Sequence, residues 1–415
     1  MFCLSPCLRH LIVSKPSVAD SERFRRQLID AVASLRVGWP EDIGVTVGPV
    51  IEPPSGKLER ALTTLDAGER WLVEPRRLDD TGRLWAPGLK EGVVPGSWFH
   101  HTECFGPVLG LMHADTLEEA VRLQNATAYG LTGGLHSLDE GEIAYWRDHV
   151  EVGNAYINRH ITGAIVQRQS FGGWKASVVG PGAKAGGPNY VAQLGTWSAD
   201  GLPQHTGVPS PGVTAALLDY SGLLTDDADR QWLRRAVESD AAVWDAELGQ
   251  ERDLTGLAPE ANIFRYRPAP LTVRTVPGAS VAELVRVLLA AELTGTPVRV
   301  SLDPQTSAAL KAGETPATQP GLRRLARVVD RGETDAEFLQ RVRVEGIERV
   351  RVVGPEGAAR GLVDALWSPE VTVLAGPVLA TGRRELLTVL REQAISHTLH
   401  RFGHLPAPVH AGSRS

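Results

Sequence analysis

From Ser17 onward the apolar positions Phe24, Leu28, Ile29, Val32 and Leu35 recur every three to four residues, until Gly38-Trp39-Pro40 interrupts them. That period lines one side of an α-helix, so the segment is predicted helical and amphipathic. A second helix is predicted to open at Thr116, whose spacing to Glu119 fits a capping box. It carries Leu117, Ala120, Val121 and Gln124 forward and closes near Gly130. A third covers roughly residues 140–150 and stops at Gly153. Then the period changes. The run AYINR, residues 155–159, alternates β-branched and aromatic residues with polar ones and reads as a strand, leading into a glycine-dense stretch, Ile161 to Tyr190.

Periodicity lapses between Ser198 and Val213, where SADGLPQHTGVPSPGV concentrates Gly, Pro, Ser and His. This composition marks a linker and a domain boundary. Beyond it, Ser280 and Glu283 cap an apolar helix that ends at Gly295, followed by the strand PVRVSL. ERVRVVG is predicted as a strand, EGAARGLVDALW as a helix, VTVLAGPV as a strand and RRELLTVLREQAISHTLHRFG as one long helix with a terminal glycine. Alternation of this kind implies a mostly parallel sheet. The expected organisation is residues 1–198 as one α/β region, 199–213 as linker and 214–415 as a second α/β domain.

Composition narrows the classes of function. The 415 residues are 42% hydrophobic and 22% charged, ordinary globular material, with a formal net charge of −6 and acids and bases mixed throughout. There is no basic stripe of the kind that nucleic acids select, so no nucleic-acid partner is expected. No apolar run reaches the roughly 18 residues of a membrane span. Cys3, Cys7 and Cys104 make an odd set without disulfide spacing, which fits a reducing cytoplasm. MFCLSPCLRHLIV lacks the charged start and cleavage site of a secretory signal.

The glycine-dense stretch reads as a binding wall. Glycine lets backbone approach a ligand without a Cβ in the way, and a flexible tether would not interleave Ile, Val, Phe, Trp and Tyr as this segment does. In ECFGPVLG, residues 103–110, a carboxylate precedes an aromatic by two positions and a Gly-Pro turn follows. A carboxylate can accept both hydroxyls of a ribose, and a neighbouring aromatic can cover a nicotinamide ring; a strand end with a surface Glu and a core Phe reads equally well from these residues.

ECFGPV, YGLTGGLHS, GNAYINR, GAIVQRQSFGGWKAS and KAGGPNYV occur in the order, and at about the intervals, found in NAD(P)-dependent aldehyde dehydrogenases. Residues 12–198 thus resemble the C-terminal half of that family. The forms INRHITGAIVQRQSFGGWK and KAGGPNYV are most similar to the branch that oxidises L-glutamate γ-semialdehyde, the open form of 1-pyrroline-5-carboxylate, to glutamate. EANIFRYRP and REQAISHTLHRFG resemble the accessory C-terminal domain of bifunctional proline-utilisation enzymes, a degenerate aldehyde-dehydrogenase-like fold. The resemblance implies an aldehyde-dehydrogenase catalytic half followed by a second α/β domain of related fold. It implies NAD as cofactor, L-glutamate γ-semialdehyde as substrate, and an oligomer or an intact dehydrogenase as partner. By resemblance Glu103 holds the nicotinamide ribose, Phe105 lines the nicotinamide, Phe171 walls the aldehyde channel, and the Gly186 and Gly187 amides clamp the substrate α-carboxylate. Phe171 as plain core is the other reading.

The family's glycine-rich nucleotide turn and upstream general base have no counterpart in these residues, and the chain starts where the nucleophile segment is expected. Cys7 is the thiol available there to attack an aldehyde, although its flanks do not match; a terminal cysteine without a catalytic role is the alternative. The expectation is a fragment of the dehydrogenase that is inactive alone, with a non-catalytic remnant or partner subunit as the rival. Cys3, Cys7 and His10, and His100, His101 and Cys104, have ligand-like spacing, but no metal site is expected because structural zinc requires four well-held ligands. RVVGPEG, residues 351–357, within the part that resembles the accessory domain, imitates a dinucleotide turn; the turn from Gly354 to Gly357 before a helix could hold a phosphate, and a vestigial loop is the reading favoured by Glu356 at the anion position.

Overall fold

A computed structural model describes residues 2–4, 10–14, 18, 20–162, 164–166, 168–198, 201–368 and 370–400. Two compact units emerge from its internal contacts: Met1–Gln169 with Thr255–Asn262 and Ala394–Ser415, and Ser170–Leu254 with Ile263–Gln393. The segment expected as a linker is irregular over residues 201–210 and passes into the helix Pro211–Ser221. The division by contacts falls elsewhere, at Gln169/Ser170, and the chain rejoins the first unit at Thr255 and again at Ala394.

In the first unit, Asn154–Ile157 pairs in parallel with Thr132–Leu135 on one side and with Ala394 to His397 on the other. Phe2–Leu4 pairs antiparallel with both Thr132–Leu135 and His10–Ser14. Val108–His113 then runs parallel to His10–Ser14 and to Gly88–Glu91, and Arg70–Val73 closes the edge antiparallel to Gly88–Glu91. The helix Glu22–Ala33 forms where its period indicates. Ser21 accepts from the Phe24 N–H as N-cap, and Leu28, Ile29 and Val32 pack onto Leu89 and Leu111. Likewise Thr116 accepts from the Glu119 N–H at the start of Leu117–Asn125, a helix that stops five residues short of Gly130. Its buried Gln124 accepts from the indole N–H of Trp146, which joins it to the helix Glu140–His149.

The second unit contains a five-stranded parallel sheet in the order Val329–Gly332, Val298–Leu302, Leu271–Thr275, Arg349–Val353, Thr372–Leu374. Numbered along the chain this is 3-2-1-4-5, a doubly wound arrangement. Its central strand Leu271–Thr275 is buried at every position, as parallel strands with both faces covered are. The helix Val281–Thr294, capped by Ser280 and ended by left-handed Gly295, is buried over most of its length. In doubly wound sheets ligands bind where the strand order reverses, here between Leu271–Thr275 and Arg349–Val353. At that place Gly354, at φ +133°, lies so close to Val276 that a Cβ would stand 2.7 Å from the Val276 side chain, and Pro355 stacks on Gly278. The loop expected to be vestigial is packed down on its neighbours.

One element differs from the sequence expectation. Residues 383–403 are predicted as a single helix, whereas the structure has the helix Gly382–Val389 followed by the strand Leu390–Thr398. Two features decide against continuation. Ala394 to His397 find a parallel partner in Asn154–Ile157, and Ile395 and Thr398 are β-branched residues that favour strands over helices. Among the described residues no helix is long and apolar enough to cross a membrane.

Candidate functional site

Glu103 and Phe105 belong to the first unit, in the irregular residues between the short helix Trp98–His101 and the strand Val108–His113. Glu103 is half-buried. Phe105 holds φ +53° and leaves 44% of its surface exposed, with the Lys57 ammonium 5.5 Å from its ring centre. A non-glycine residue in this conformation carries on the order of 1–2 kcal/mol of strain. The following Gly106 lies against the helix Gly56–Thr63: a Cβ there would fall 2.0 Å from the end of the Leu58 side chain. The reading of Phe105 as core is excluded by its exposure. A half-buried carboxylate two positions before an outward-facing ring suits the ribose and nicotinamide of a dinucleotide.

Phe171, Gly186 and Gly187 belong to the second unit, where the glycine-dense wall is built around one buried carboxylate. Glu392 accepts from the Lys184 backbone N–H at 2.7 Å and from the Asn189 side-chain amide at 2.6 Å. Both ends of the loop 184–189 are therefore fastened to the same side chain. Asn189 also donates to the Tyr266 hydroxyl at 2.9 Å, and Trp174 donates its indole N–H to the Glu392 carbonyl at 2.6 Å. The Lys184 ammonium is buried and donates to the Gly172 carbonyl. Phe171 and Ala185 exchange two backbone hydrogen bonds, each 2.9 Å, which hang the loop on the strand-like residues before it.

Burial governs the titration of this cluster. Lys184 is pushed down to about 7 by desolvation, opposed by the charge of Glu392. Glu392 itself is displaced upward by burial, with the Asn189 and Lys184 donors acting the other way. Tyr266 is pushed up to about 12, again by burial. A carboxylate largely removed from solvent therefore relies on the loop's donors, and the loop relies on it.

The two glycines play different parts. Gly187 donates its N–H to the Lys184 carbonyl at 2.9 Å, and a Cβ on it would meet that same oxygen at 2.9 Å and Ser170 at 3.3 Å. Its amide is turned inward, so in this conformation it closes the turn. Gly186 is exposed at φ +74°, and among the described residues its N–H has no acceptor. The outward amide is thus that of Gly186. Phe171, at 36% exposure, stands at the base of the loop and is not core.

Cys7 lies outside the described residues. His100 is buried with both ring nitrogens engaged, Nδ1 accepting from the Gly96 N–H and Nε2 facing the Leu123 carbonyl, each at 3.0 Å. Glu392, Lys184 and Tyr266 are the site residues that sequence reading passed over. Their types carry no pattern, since residues 208 positions apart must meet before the carboxylate has a role.

Comparison with known proteins shows what this architecture is similar to. Residues 5–196 match the aldehyde dehydrogenase family. More particularly, the chain is 34% identical over 168 residues to the 1-pyrroline-5-carboxylate dehydrogenase of Bacillus licheniformis, covering 40% of this chain and 32% of that one. It is 37% identical over 211 residues to the bifunctional protein PutA of Rhizobium meliloti, covering 50% of this chain and 16% of the relative. The solved structure of Proline Utilization A from Corynebacterium freiburgense matches 96% of this chain at 44% identity with a TM-score of 0.75, over 36% of its own length. The chain thus spans about a third or less of each of these relatives.

Proposed function

We propose that this chain supplies the substrate wall and the ribose-holding residues of an NAD-dependent L-glutamate γ-semialdehyde dehydrogenase of proline degradation, acting in the cytoplasm together with a nucleotide-binding half. The observation that carries the reading is the loop 184–189, fastened at both ends by Glu392 with the Gly186 amide facing out. A backbone N–H on an exposed residue, with no acceptor of its own, is a receptor for a carboxylate, the group that separates glutamate semialdehyde from simple aldehydes. NAD, when bound, would supply a hydride acceptor for the aldehyde carbon. In this reading Glu103 accepts the ribose hydroxyls, Phe105 covers the nicotinamide face, Phe171 lines the aldehyde path, and Cys7 is the candidate nucleophile.

The chain alone is expected to form no NADH from 1-pyrroline-5-carboxylate and NAD above a Cys7→Ala control. Completed with the upstream two thirds of the Bacillus licheniformis dehydrogenase, it is expected to do so and to favour this substrate over pentanal. A charge-assisted hydrogen bond is worth about 1.5–3 kcal/mol, or roughly 10- to 150-fold in kcat/KM. Equal kcat/KM for the two aldehydes would overturn the carboxylate assignment, and turnover by the unassisted chain would overturn the division of labour.

A further inference from the structure

The second unit contains a cavity of about 330 Å³ that the reading above does not use. One wall is made by residues on both sides of the loop 184–189, including Ala183, Ala192 and Trp197; the other lining residues include Leu379, Leu387 and Leu390. Five charged side chains line it. Arg351 and Glu385 form a buried ion pair at 3.2 Å, and Arg351 also donates to the carbonyls of Leu374, Gly376 and Pro377. Glu392 is occupied by Lys184 and Asn189. Arg391 lies over the Trp174 ring at 3.7 Å.

Arg384 is different. Its guanidinium lies 3.9 Å from the centre of the Trp197 ring, and it has neither an ion pair nor a hydrogen bond among the described residues. Its neighbour Arg383 already holds Glu247 at 2.8 Å, so that carboxylate is engaged elsewhere. Stacking on an aromatic ring fixes the plane of a guanidinium while leaving its N–H fork free. A fork held in this way, in a cavity whose other charged side chains already have partners, matches a carboxylate, and the apolar walls match the body attached to it.

We propose that this cavity binds a small monocarboxylate with an apolar body, such as a medium-chain or aryl-substituted acid, its carboxylate on Arg384 and its body between Leu387, Leu390 and Ala192. The cavity shares Asn189 and Glu392 with the anchor of the glycine loop, and its proposed ligand does not depend on the dehydrogenase assignment. Because Glu392 both lines the cavity and fastens the loop, the ligand would rest against the support of that loop.

Calorimetric titration of the full chain with octanoate and with 3-phenylpropionate tests the site, with the matched alcohols and inorganic phosphate as comparison probes. Saturable binding of at least one carboxylate is expected, at least tenfold tighter than the matched alcohol and than phosphate. Arg384→Gln is expected to weaken it at least tenfold and Arg384→Lys less, because a lysine keeps the charge without the fork. Ala192→Trp, which fills the cavity and leaves Arg384 in place, is expected to abolish it. Thermal unfolding of each variant without ligand checks that it is folded. Alcohol or phosphate binding as tightly as the carboxylates, binding unaffected by folded Arg384→Gln or Ala192→Trp, or no carboxylate binding at millimolar concentration would each overturn the proposal.

Discussion

Lys184 is one lysine among several in the sequence, set before a glycine pair; in the structure its side chain is out of solvent and its pKa is depressed from 10.5 to about 7. Between those values the unfolded chain binds more protons than the folded one, so this residue makes stability rise with pH across about pH 7–10.5. Glu392 has the opposite sign. Its raised pKa contributes stability that is full below the ordinary carboxylate value of 4.5 and is lost as pH rises through the folded value. Lys184→Met keeps a chain of similar shape without the titration, and urea unfolding at pH 7, 8.5 and 10 is expected to show a smaller rise in stability for the variant than for the parent. An identical rise in both would mean that the ammonium is ionised in the fold and that burial is not what sets its state.

Helices in the second unit are joined by one buried ion pair. Arg286, on the helix Val281–Thr294, donates both terminal nitrogens to Asp240, on the helix Asp227–Val243, at 2.6 and 2.7 Å, with neither side chain reaching solvent. Burial raises Asp240 to about 6, while Arg286 acts to lower it. Removing one partner leaves the other charge without compensation. Arg286→Met is expected to cost about 3–5 kcal/mol, read as a lower urea midpoint, with Arg286→Met/Asp240→Asn recovering part of it. Recovery needs the coupling that the geometry shows; a double variant as weak as the sum of the singles would deny it. The helix-to-strand change at Val389/Leu390 belongs to the same scale. Local propensity in RRELLTVLREQ supports a helix, but from Ala394 on, hydrogen bonds to Asn154–Ile157 are available only to an extended chain.

Over the whole molecule, chain order and unit membership do not coincide. Thr255–Asn262 and Ala394–Ser415 belong to the unit that begins the chain, and Arg159 pairs with Glu260 at 2.7 Å within it. A protein cut at Ser198 would lose that ion pair and the parallel partner of Asn154–Ile157, baring a buried strand edge. Residues 1–198 expressed alone are therefore expected to aggregate, while the full chain at the same concentration stays dispersed in sedimentation velocity. A folded, monodisperse 1–198 would show that the returning segments are dispensable.

What the amino-acid order determined by itself is what depends on near neighbours. The helix at Glu22–Ala33, the Thr116 and Ser280 caps, the strands Val298–Leu302 and Arg349–Val353 and the alternation that implies a parallel sheet all follow from spacings of two to four residues. Motif order is legible along the chain too, and it is what singles out Glu103, Phe105, Phe171, Gly186 and Gly187. Tertiary structure alone decided which glycine amide faces outward, that Phe105 and Phe171 are exposed, where the helix at Gly382 gives way to a strand, and that Glu392 holds a loop some 200 residues earlier. Each of these rests on a partner remote in the chain. The free energy of a buried carboxylate or an unpaired strand edge is set by whatever the fold brings against it, and no local pattern records that.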